Sequence, residues 1–483
     1  LAMLKARSHQ QLKHLLLQNS SPWPHHLTLS RLVARSLRRK DHTLIQLDPR
    51  SKDLWWLGLL VPLCLEAKDA VMILSDQQRR RLLKVELPQL LTKGIKLPCW
   101  EGHLPPSGNQ LWLMNHSELI EAHHQGHLKS RQLIIPEADQ LSQRLRDSMA
   151  LSITPQDWER LRRAHPSAEA SLMQLHERLS RSLFTHATRA NAQVRLDGSE
   201  IQALKDLMRL LGPSPSPWPA VLKADSRFWA SWAELDHRLL QWQWHLQPLE
   251  PLQNLPGLLR DQPSVLLSGS REHDLVRTEL DAAAFPATVI ARLSEPNLQE
   301  PIPLFAPRRQ PLPNTEIYAE HLLDQCRRLI LGRPGITVVL LDDQQLRRQL
   351  TSELAAEFGR RVVHETTAPE SNGVVCCRWA WWLHHQDQLP LPEQLIVALL
   401  PLASVESPLT AARVESLKNQ GRDWFRDLLL PEALSLLTPA IAPLRKNHGR
   451  LAILDGRLRG RSWGKQVLST LEPWTPLQRL LPD

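Results

Sequence analysis

Cysteine is scarce in this sequence, and the positions of the cysteines exclude several kinds of site. The 483 residues contain five cysteines, none of them in a C-x-x-C pair. An odd number that includes the adjacent Cys376 and Cys377 predicts reduced, mostly buried thiols in a cytoplasmic protein. Zinc and iron–sulphur sites are therefore not expected, and we predict no metal site.

The apolar runs are short. Leu54–Leu65, for example, falls well below the length of about 18 to 20 residues that a bilayer-spanning helix needs. No apolar region with a small-residue cleavage site follows the basic first residues, so we expect no targeting signal.

Acidic residues are missing from the first 40 positions, which carry eight lysines and arginines. The whole chain has a formal net charge of +9. This balance favours contact with a polyanion, and a solvated basic surface is the alternative.

Thr43–Leu60 has the layout of a phosphate-binding strand, loop and helix, but the glycines of such a loop are missing. Glycines let backbone N–H groups close around phosphates, while a lysine reaches their oxygens and a hydroxyl holds Mg²⁺. Lys52 remains here, and Asp53 takes the place of the hydroxyl. Larger residues occupy glycine-type positions: Leu47, Pro49 and Ser51. The segment is either a degenerate nucleotide loop or an ordinary strand-to-helix turn.

The chain alternates short apolar runs with helical patterns, which predicts an α/β fold with parallel sheets covered on both faces. Residues 146–255 instead show helical periodicity, and we expect the Trp-dense stretch FWASWAELDHRLLQWQWHLQPLEPL to continue it. The predicted domains are 1–145 plus 256–305, an inserted helical domain at 146–255, and a second α/β domain at 306–483. Predicted strands include Thr43–Leu47, Ala70–Leu74, Gln110–Met114, Gln132–Ile135, SVLL, ATVIARL, GITVVLL, RRVVHE, NGVVCC, QLIVALL and LAILDGRL.

An ordered set of motifs lies in the C-terminal half: L-P, S-P-L, an Arg-bearing helix, G-x-x-x-F, P-x-A, and I-L-D-x-R followed by G-K. The order resembles the second motor domain of DinG-type superfamily 2 DNA helicases, in the Rad3-related family. LMNHSELI and SVLLSGS resemble further motifs of that family, and QLIIPEADQL stands where a strand ending in D-E-A-H is expected. The matching residues are Leu400, Pro401, Ser407, Pro408, Leu409, Arg413, Gly421, Phe425, Pro431, Ala433, Ile453, Leu454, Asp455, Arg457, Gly464 and Lys465.

The resemblance covers nearly the whole chain apart from much of 146–255. It implies two RecA-like (P-loop NTPase-type) parallel-sheet domains with an inserted, mostly helical, arch-like domain. It also implies ATP and Mg²⁺ as cofactors. Some members of the wider family hold an iron–sulphur cluster, but only Cys64 and Cys99 lie between Lys52 and Glu137, so four thiolates are not available there.

The resemblance assigns the water-activating role to Glu137, and Pro136 replaces the Mg²⁺-binding Asp. A surface carboxylate at a strand end is the alternative for Glu137. Asp139 replaces the histidine of D-E-A-H and is expected to face another direction.

The nucleotide-binding positions are Ser51, Lys52 and Asp53 in the loop, and Arg445 in the second domain. A carboxylate about 4 Å from a phosphate costs roughly 4 kcal/mol at an effective dielectric near 20, although Asp53 can instead bind Mg²⁺ directly. The motif Q-G-x-G-R-L-I-R is TPAIAPLR here, in which only Arg445 remains, and RWAWW replaces S-F-W-E-G. The joint change of these parts predicts an inactive motor.

Nucleic-acid binding does not require ATP. The sequence predicts two basic patches that bind DNA phosphates, and tryptophans can either stack bases or pack in the core. The patch residues are Arg35, Arg38, Arg39 and Lys40, and Arg457, Arg459 and Arg461.

Three hypotheses follow. The first is a DinG-type helicase homologue that binds DNA, in single-stranded form, with an inactive ATPase site. The second is an active but divergent ATP-dependent helicase. The third is a non-catalytic scaffold for protein contacts.

Overall fold

The computed structural model describes residues 3–17, 23–51, 53–185, 192–196, 198–269, 279–294 and 300–477. They form two compact units. The first comprises Leu1–Ser294 with Ser404–Arg422, and the second Glu295–Ala403 with Asp423–Asp483.

The first unit contains a seven-stranded parallel sheet. Alternate residues of its strands enter two separate cores: Ile45 and Met72 pack on one face, Leu44 and Val71 on the other. Because both faces are covered, the central strands are buried throughout. The order across the sheet is Val289–Leu293, Thr43–Leu47, Ser264–Ser268, Gln132–Ile135, Ala70–Ile73, Leu111–Met114 and Cys99–Trp100.

Helices and short turns cover this sheet. The covering elements are Met3–Leu17, His26–Arg39, Pro49–Ser51 (3-10), Trp56–Leu65, Asp76–Arg81, Leu82–Glu86 (π), Leu87–Thr92, His116–His124, Ala138–Gln140 (3-10), Leu141–Met149, Pro251–Asn254 (3-10) and Leu258–Asp261. Cys64 and Cys99 pack against the core on one face, and burial raises the pKa of each thiol to about 12.

The second unit also contains a seven-stranded parallel sheet, with Val338 and Val339 facing different cores. The strand order is Val362–His364, Val374–Cys377, Thr337–Leu340, Gln394–Val397, Arg450–Ile453, Ile302–Phe305 and Trp474–Pro476. Its helices and turns are Tyr318–Ile330, Gln344–Phe358, Gly359–Arg361 (3-10), Trp379–His385, Gln386–Gln388 (3-10), Phe425–Leu429 (π), Leu430–Lys446, Arg457–Gly460 and Gly464–Thr470. The two parallel sheets confirm the predicted α/β class.

The helical stretch Phe425–Lys446 is long and apolar enough to cross a membrane by length and composition alone. Most of it is buried, and Leu434, Leu437 and Ile441 pack in the core of the second unit. Here the stretch is a core helix.

The sequence predicts that 256–305 belongs to the first α/β domain, but Ile302–Phe305 is a strand of the second sheet, between Arg450–Ile453 and Trp474–Pro476. The surrounding prolines concealed a short strand. In the other direction, the helix Pro408–Asn419 belongs to the first unit.

The inserted segment contains helices and a four-stranded antiparallel sheet. The helices and turns are Pro155–Ala164, Pro166–Ala168 (3-10), Glu169–Thr185, Gly198–Leu211 and Trp218–Lys223. The strand order is Leu151–Ile153, Gln241–Pro248, Trp229–Asp236 and Gln193–Arg195.

The prediction that the Trp-dense stretch is helical was wrong. Trp229–Asp236 and Gln241–Pro248 pair as an antiparallel hairpin. Trp242, Trp244 and Leu246 are buried at alternate positions, so the apolar period is two and not 3.6. The indole N–H of Trp244 donates to Ser231 Oγ at 2.7 Å, which satisfies its polar group inside the core.

Because buried and exposed side chains alternate along this strand, substitutions at neighbouring positions should have very different effects on stability. Trp244→Ala should lower the free energy of unfolding by about 3–5 kcal/mol, because a large buried side chain is removed. Gln243→Ala, at an exposed position, should change it by less than about 0.5 kcal/mol. Denaturant unfolding of both variants measures the difference, and equal effects would contradict the strand.

Candidate nucleotide site and basic surfaces

The segment after Thr43–Leu47 forms a tight turn in place of a phosphate loop. The N–H of Ser51 donates to Asp48 O at 2.8 Å, and the N–H of Leu54 donates to Ser51 O at 3.0 Å. These backbone donors are thus used within the turn. Ser51 is buried, and Lys52 lies outside the described residues.

Asp53 is held by the neighbouring helix. Its φ of 61° lies in the left-handed region, which is unfavourable for a residue other than glycine. Arg81 Nη1 donates to Asp53 Oδ2 at 3.0 Å, and Gln78 Nε2 donates to Oδ1 at 3.2 Å. The carboxylate at the Mg²⁺ position therefore already has a cationic partner.

Glu137 follows the Gln132–Ile135 strand and is also paired. Arg144 donates to both of its carboxylate oxygens, with Nη2 at 3.0 Å from Oε1. Ser75 Oγ donates to Oε2 at 3.1 Å. The side chain is 20% exposed, so the ion pair is shielded in part from water.

Ser75 joins the two acidic positions into one network. It caps the helix Asp76–Arg81 by accepting the N–H of Gln78. Gln78 contacts Asp53 through its side chain, and Ser75 contacts Glu137. Hydrogen bonds thus connect polar residues that follow three strands of one sheet.

Asp139 has a different environment, because its carboxyl accepts a hydrogen bond from the backbone. The N–H of Gly269 donates to its Oδ1 at 3.1 Å. Burial raises the pKa of Asp139 above its ordinary value, and the hydrogen bond from Gly269 opposes this effect. A partly buried carboxyl with a raised pKa is a poor replacement for the missing metal-binding Asp.

The side chains at these positions do not fit a site for Mg²⁺ and a nucleoside triphosphate. Pro136 has no side-chain ligand for a metal ion, and the carboxylates of Asp53 and Glu137 already form ion pairs with arginines. Within the described ranges, no cluster of three or more His, Cys, Asp or Glu side chains is arranged to hold a metal ion.

Arg445, in the second unit, is engaged with backbone carbonyls. Its guanidinium donates to Leu471 O at 2.6 Å and to Pro473 O at 3.1 Å. Pro473 immediately precedes a strand, so Arg445 lies at the amino edge of its sheet. Thr438 is buried, and its hydroxyl has no hydrogen-bond partner among the described residues.

The predicted basic patches contain several residues with acidic partners. Arg35 pairs with Asp41 at 2.9 Å, and Lys40 lies 3.9 Å from Asp69. Arg39 is exposed, and Arg38 is half-buried and also has a partner.

In the second patch, Arg457 differs from Arg459 and Arg461 because its side chain pairs with a buried carboxylate. Its guanidinium holds the fully buried Asp455 at 2.6 Å, and Asp455 also accepts the N–H of Leu400 at 2.9 Å. Arg459 and Arg461 are exposed.

The sequence reasoning missed Ser75, Gln78, Arg81 and Arg144. Each contacts a predicted site residue, but only Arg144 is close to its partner in sequence. Its spacing of seven from Glu137, across a turn and into a helix, was the available signal.

The geometry predicts that Arg457 stabilises the fold. Arg457→Ala should lower the free energy of unfolding by about 1.5–3 kcal/mol, because a buried carboxylate loses its charged donor. Arg459→Ala should change it by less than about 0.5 kcal/mol. Chemical denaturation of the two variants tests this, and equal stabilities would contradict it.

No family model matches the chain. A segment of 121 residues is 27% identical to "ATP-dependent DNA helicase YoaA" of Haemophilus influenzae and covers 24% of this chain and 19% of that protein. A segment of 87 residues is 30% identical to "ATP-dependent DNA helicase DinG" of Photobacterium profundum and covers 17% and 13%. The aligned parts are therefore well under a third of these relatives' lengths.

The fold is similar to that of Xpd4 from S. tokodaii. The TM-score is 0.62 at 13% identity, over 92% of this chain and 98% of that one. An XPD helicase structure gives 0.60 at 10% identity, over 95% and 100%. The local sequence matches and this fold together relate the chain to the DinG-type superfamily 2 helicases.

Proposed function

We propose that the protein binds single-stranded DNA and does not hydrolyse ATP. It is, in this proposal, a cytoplasmic homologue of DinG-type helicases whose first motor domain carries the insertion at 146–255. One observation carries the loss of hydrolysis: both acidic positions of the nucleotide site, Asp53 and Glu137, form ion pairs with arginines of their own unit.

The ion pair between Arg81 and Asp53 opposes the binding of Mg²⁺. Mg²⁺ at a nucleotide site is usually bound by carboxylate oxygens, waters and phosphates of the substrate. Arg81 and Gln78 already donate to the two oxygens of Asp53, and the positive charge of Arg81 repels a cation that approaches this carboxylate. Direct Mg²⁺ binding by Asp53 is thus disfavoured.

The ion pair between Arg144 and Glu137 opposes the use of Glu137 as a general base. A general base needs a carboxylate that reaches the proton of the attacking water. Arg144 donates to both oxygens of Glu137, so a water would have to compete with this ion pair for the carboxylate. With Pro136 beside it, the metal that would position the phosphate has no ligand from this strand.

DNA binding is supported by charge and by the relatives. The chain carries a formal net charge of +9, and the matched relatives are ATP-dependent DNA helicases. Exposed arginines remain in both units, among them Arg39 and Arg459. Binding to phosphates needs such cations and no nucleotide chemistry.

The proposal predicts no DNA-stimulated ATP hydrolysis. Wild type and Lys52→Ala should release phosphate at the same background rate with Mg²⁺ and single-stranded DNA present. Lys84→Ala, at an exposed lysine outside the loop, is the matched control. Stimulated turnover that Lys52→Ala abolishes and Lys84→Ala retains would establish an active, divergent helicase instead.

The proposal also predicts salt-dependent binding to single-stranded DNA. Removing two phosphate contacts should lower the slope of log K against log salt by about 1.4, given roughly 0.7 per contact for single strands. Arg38→Ala with Arg39→Ala is the test, and Lys84→Ala with Lys96→Ala is the control of equal charge. Absent or salt-insensitive binding by wild type would favour a protein-contact scaffold.

A further inference from the structure

The second unit contains a basic groove of about 580 Å³ whose described lining includes none of the predicted nucleotide-site residues. One wall is the segment 308–312, and the other is the turn and short helix at 456–461. Arg308, Arg309, Arg459 and Arg461 line it, and we call these four residues the groove arginines.

Close backbone packing fixes the shape of the groove. A Cβ at Gly456 would lie 2.2 Å from Pro311 O, so only glycine permits the two walls to approach this closely. Gln310 Nε2 donates to Ile453 O at 3.1 Å, which fastens one wall to the end of the Arg450–Ile453 strand. The arginines therefore project from a defined backbone.

The groove arginines have no acidic partner among the described residues. All four side chains are exposed, and none forms an ion pair or hydrogen bond with another described residue. No Asp or Glu is among the described residues that line the groove. Arg457 differs, because its charge is neutralised by Asp455.

Four unneutralised guanidinium groups around one groove repel each other, and an anion relieves this repulsion. Guanidinium groups bind phosphate oxygens through paired N–H donors. Their distribution over two walls fits successive phosphates of a strand better than one compact phosphate group.

An apolar wall adjoins the charges. Leu312 and Ile317 line the groove, and Ile317 is 63% exposed. Sugars and bases of a flexible strand can pack on such a surface while the phosphates contact arginine. An acidic peptide would supply the charge but not the regular spacing of one phosphate per nucleotide.

We propose that the groove arginines form a binding site for the phosphate backbone of single-stranded DNA. This inference rests on the proposed function, and it adds Arg308 and Arg309 to residues that the sequence had marked. The site recognises charge and strand flexibility, not base sequence.

The test uses the full chain and a fluorescently labelled oligothymidylate, with anisotropy measured across a salt series. Arg308→Ala with Arg309→Ala, and Arg459→Ala with Arg461→Ala, should each lower the salt slope by about 1.4 and the affinity roughly 25-fold near ~0.1 M salt. Arg308→Lys with Arg309→Lys should restore most of the slope, because the charge is retained. An abasic strand of equal length should show the same losses.

Arg333→Ala with Arg348→Ala is the matched control, since both arginines are exposed, belong to the second unit and do not line the groove. It should lose little affinity. If wild type binds and the groove variants behave like this control, the groove proposal is wrong while DNA binding stands. If wild type binds no DNA, the proposed function fails and the groove proposal with it.

Discussion

Burial of both faces of each parallel sheet is the constraint on which the rest of the structure depends. A central strand such as Thr43–Leu47 is buried along its whole length, so charged side chains are confined to the strand ends. In a parallel sheet these ends share one edge. Asp53, Glu137 and Asp139 accordingly lie beyond the carboxyl ends of Thr43–Leu47 and Gln132–Ile135, the two strands on either side of Ser264–Ser268. Asp455 likewise follows a strand end in the second unit.

Carboxylates at such an edge need partners because they are partly removed from water. In an active motor of this kind, a metal ion and the substrate share that role. Here Arg81 and Arg144 perform it instead. The carboxylates of Asp53 and Glu137 thus have charged partners from the protein itself.

The sequence was sufficient for most strands, since runs such as QLII and GVVCC are apolar, short and bounded by turns. Gln132–Ile135 was predicted at its observed limits. The Trp-dense hairpin was missed because tryptophans at 242 and 244 were attributed to a helix, although their spacing is that of a strand. The partners of Asp53 were beyond sequence reasoning: Arg81 lies 28 residues away, and only the folded sheet brings the two together. Likewise, Arg457 and Arg459 look equivalent in sequence, and burial of Asp455 separates their roles.

The two kinds of site also respond differently to substitution. A nucleotide site requires several groups in fixed geometry, so loss of the loop glycines, the metal ligand and the arginine motif each removes an essential part. A phosphate-binding surface sums independent charge contacts, and each one adds a similar increment. Under the proposed function, these changes therefore abolish hydrolysis and leave strand binding nearly intact. The proposed function accounts for both observations: ion pairs at Asp53 and Glu137 in the first unit, and unneutralised groove arginines in the second.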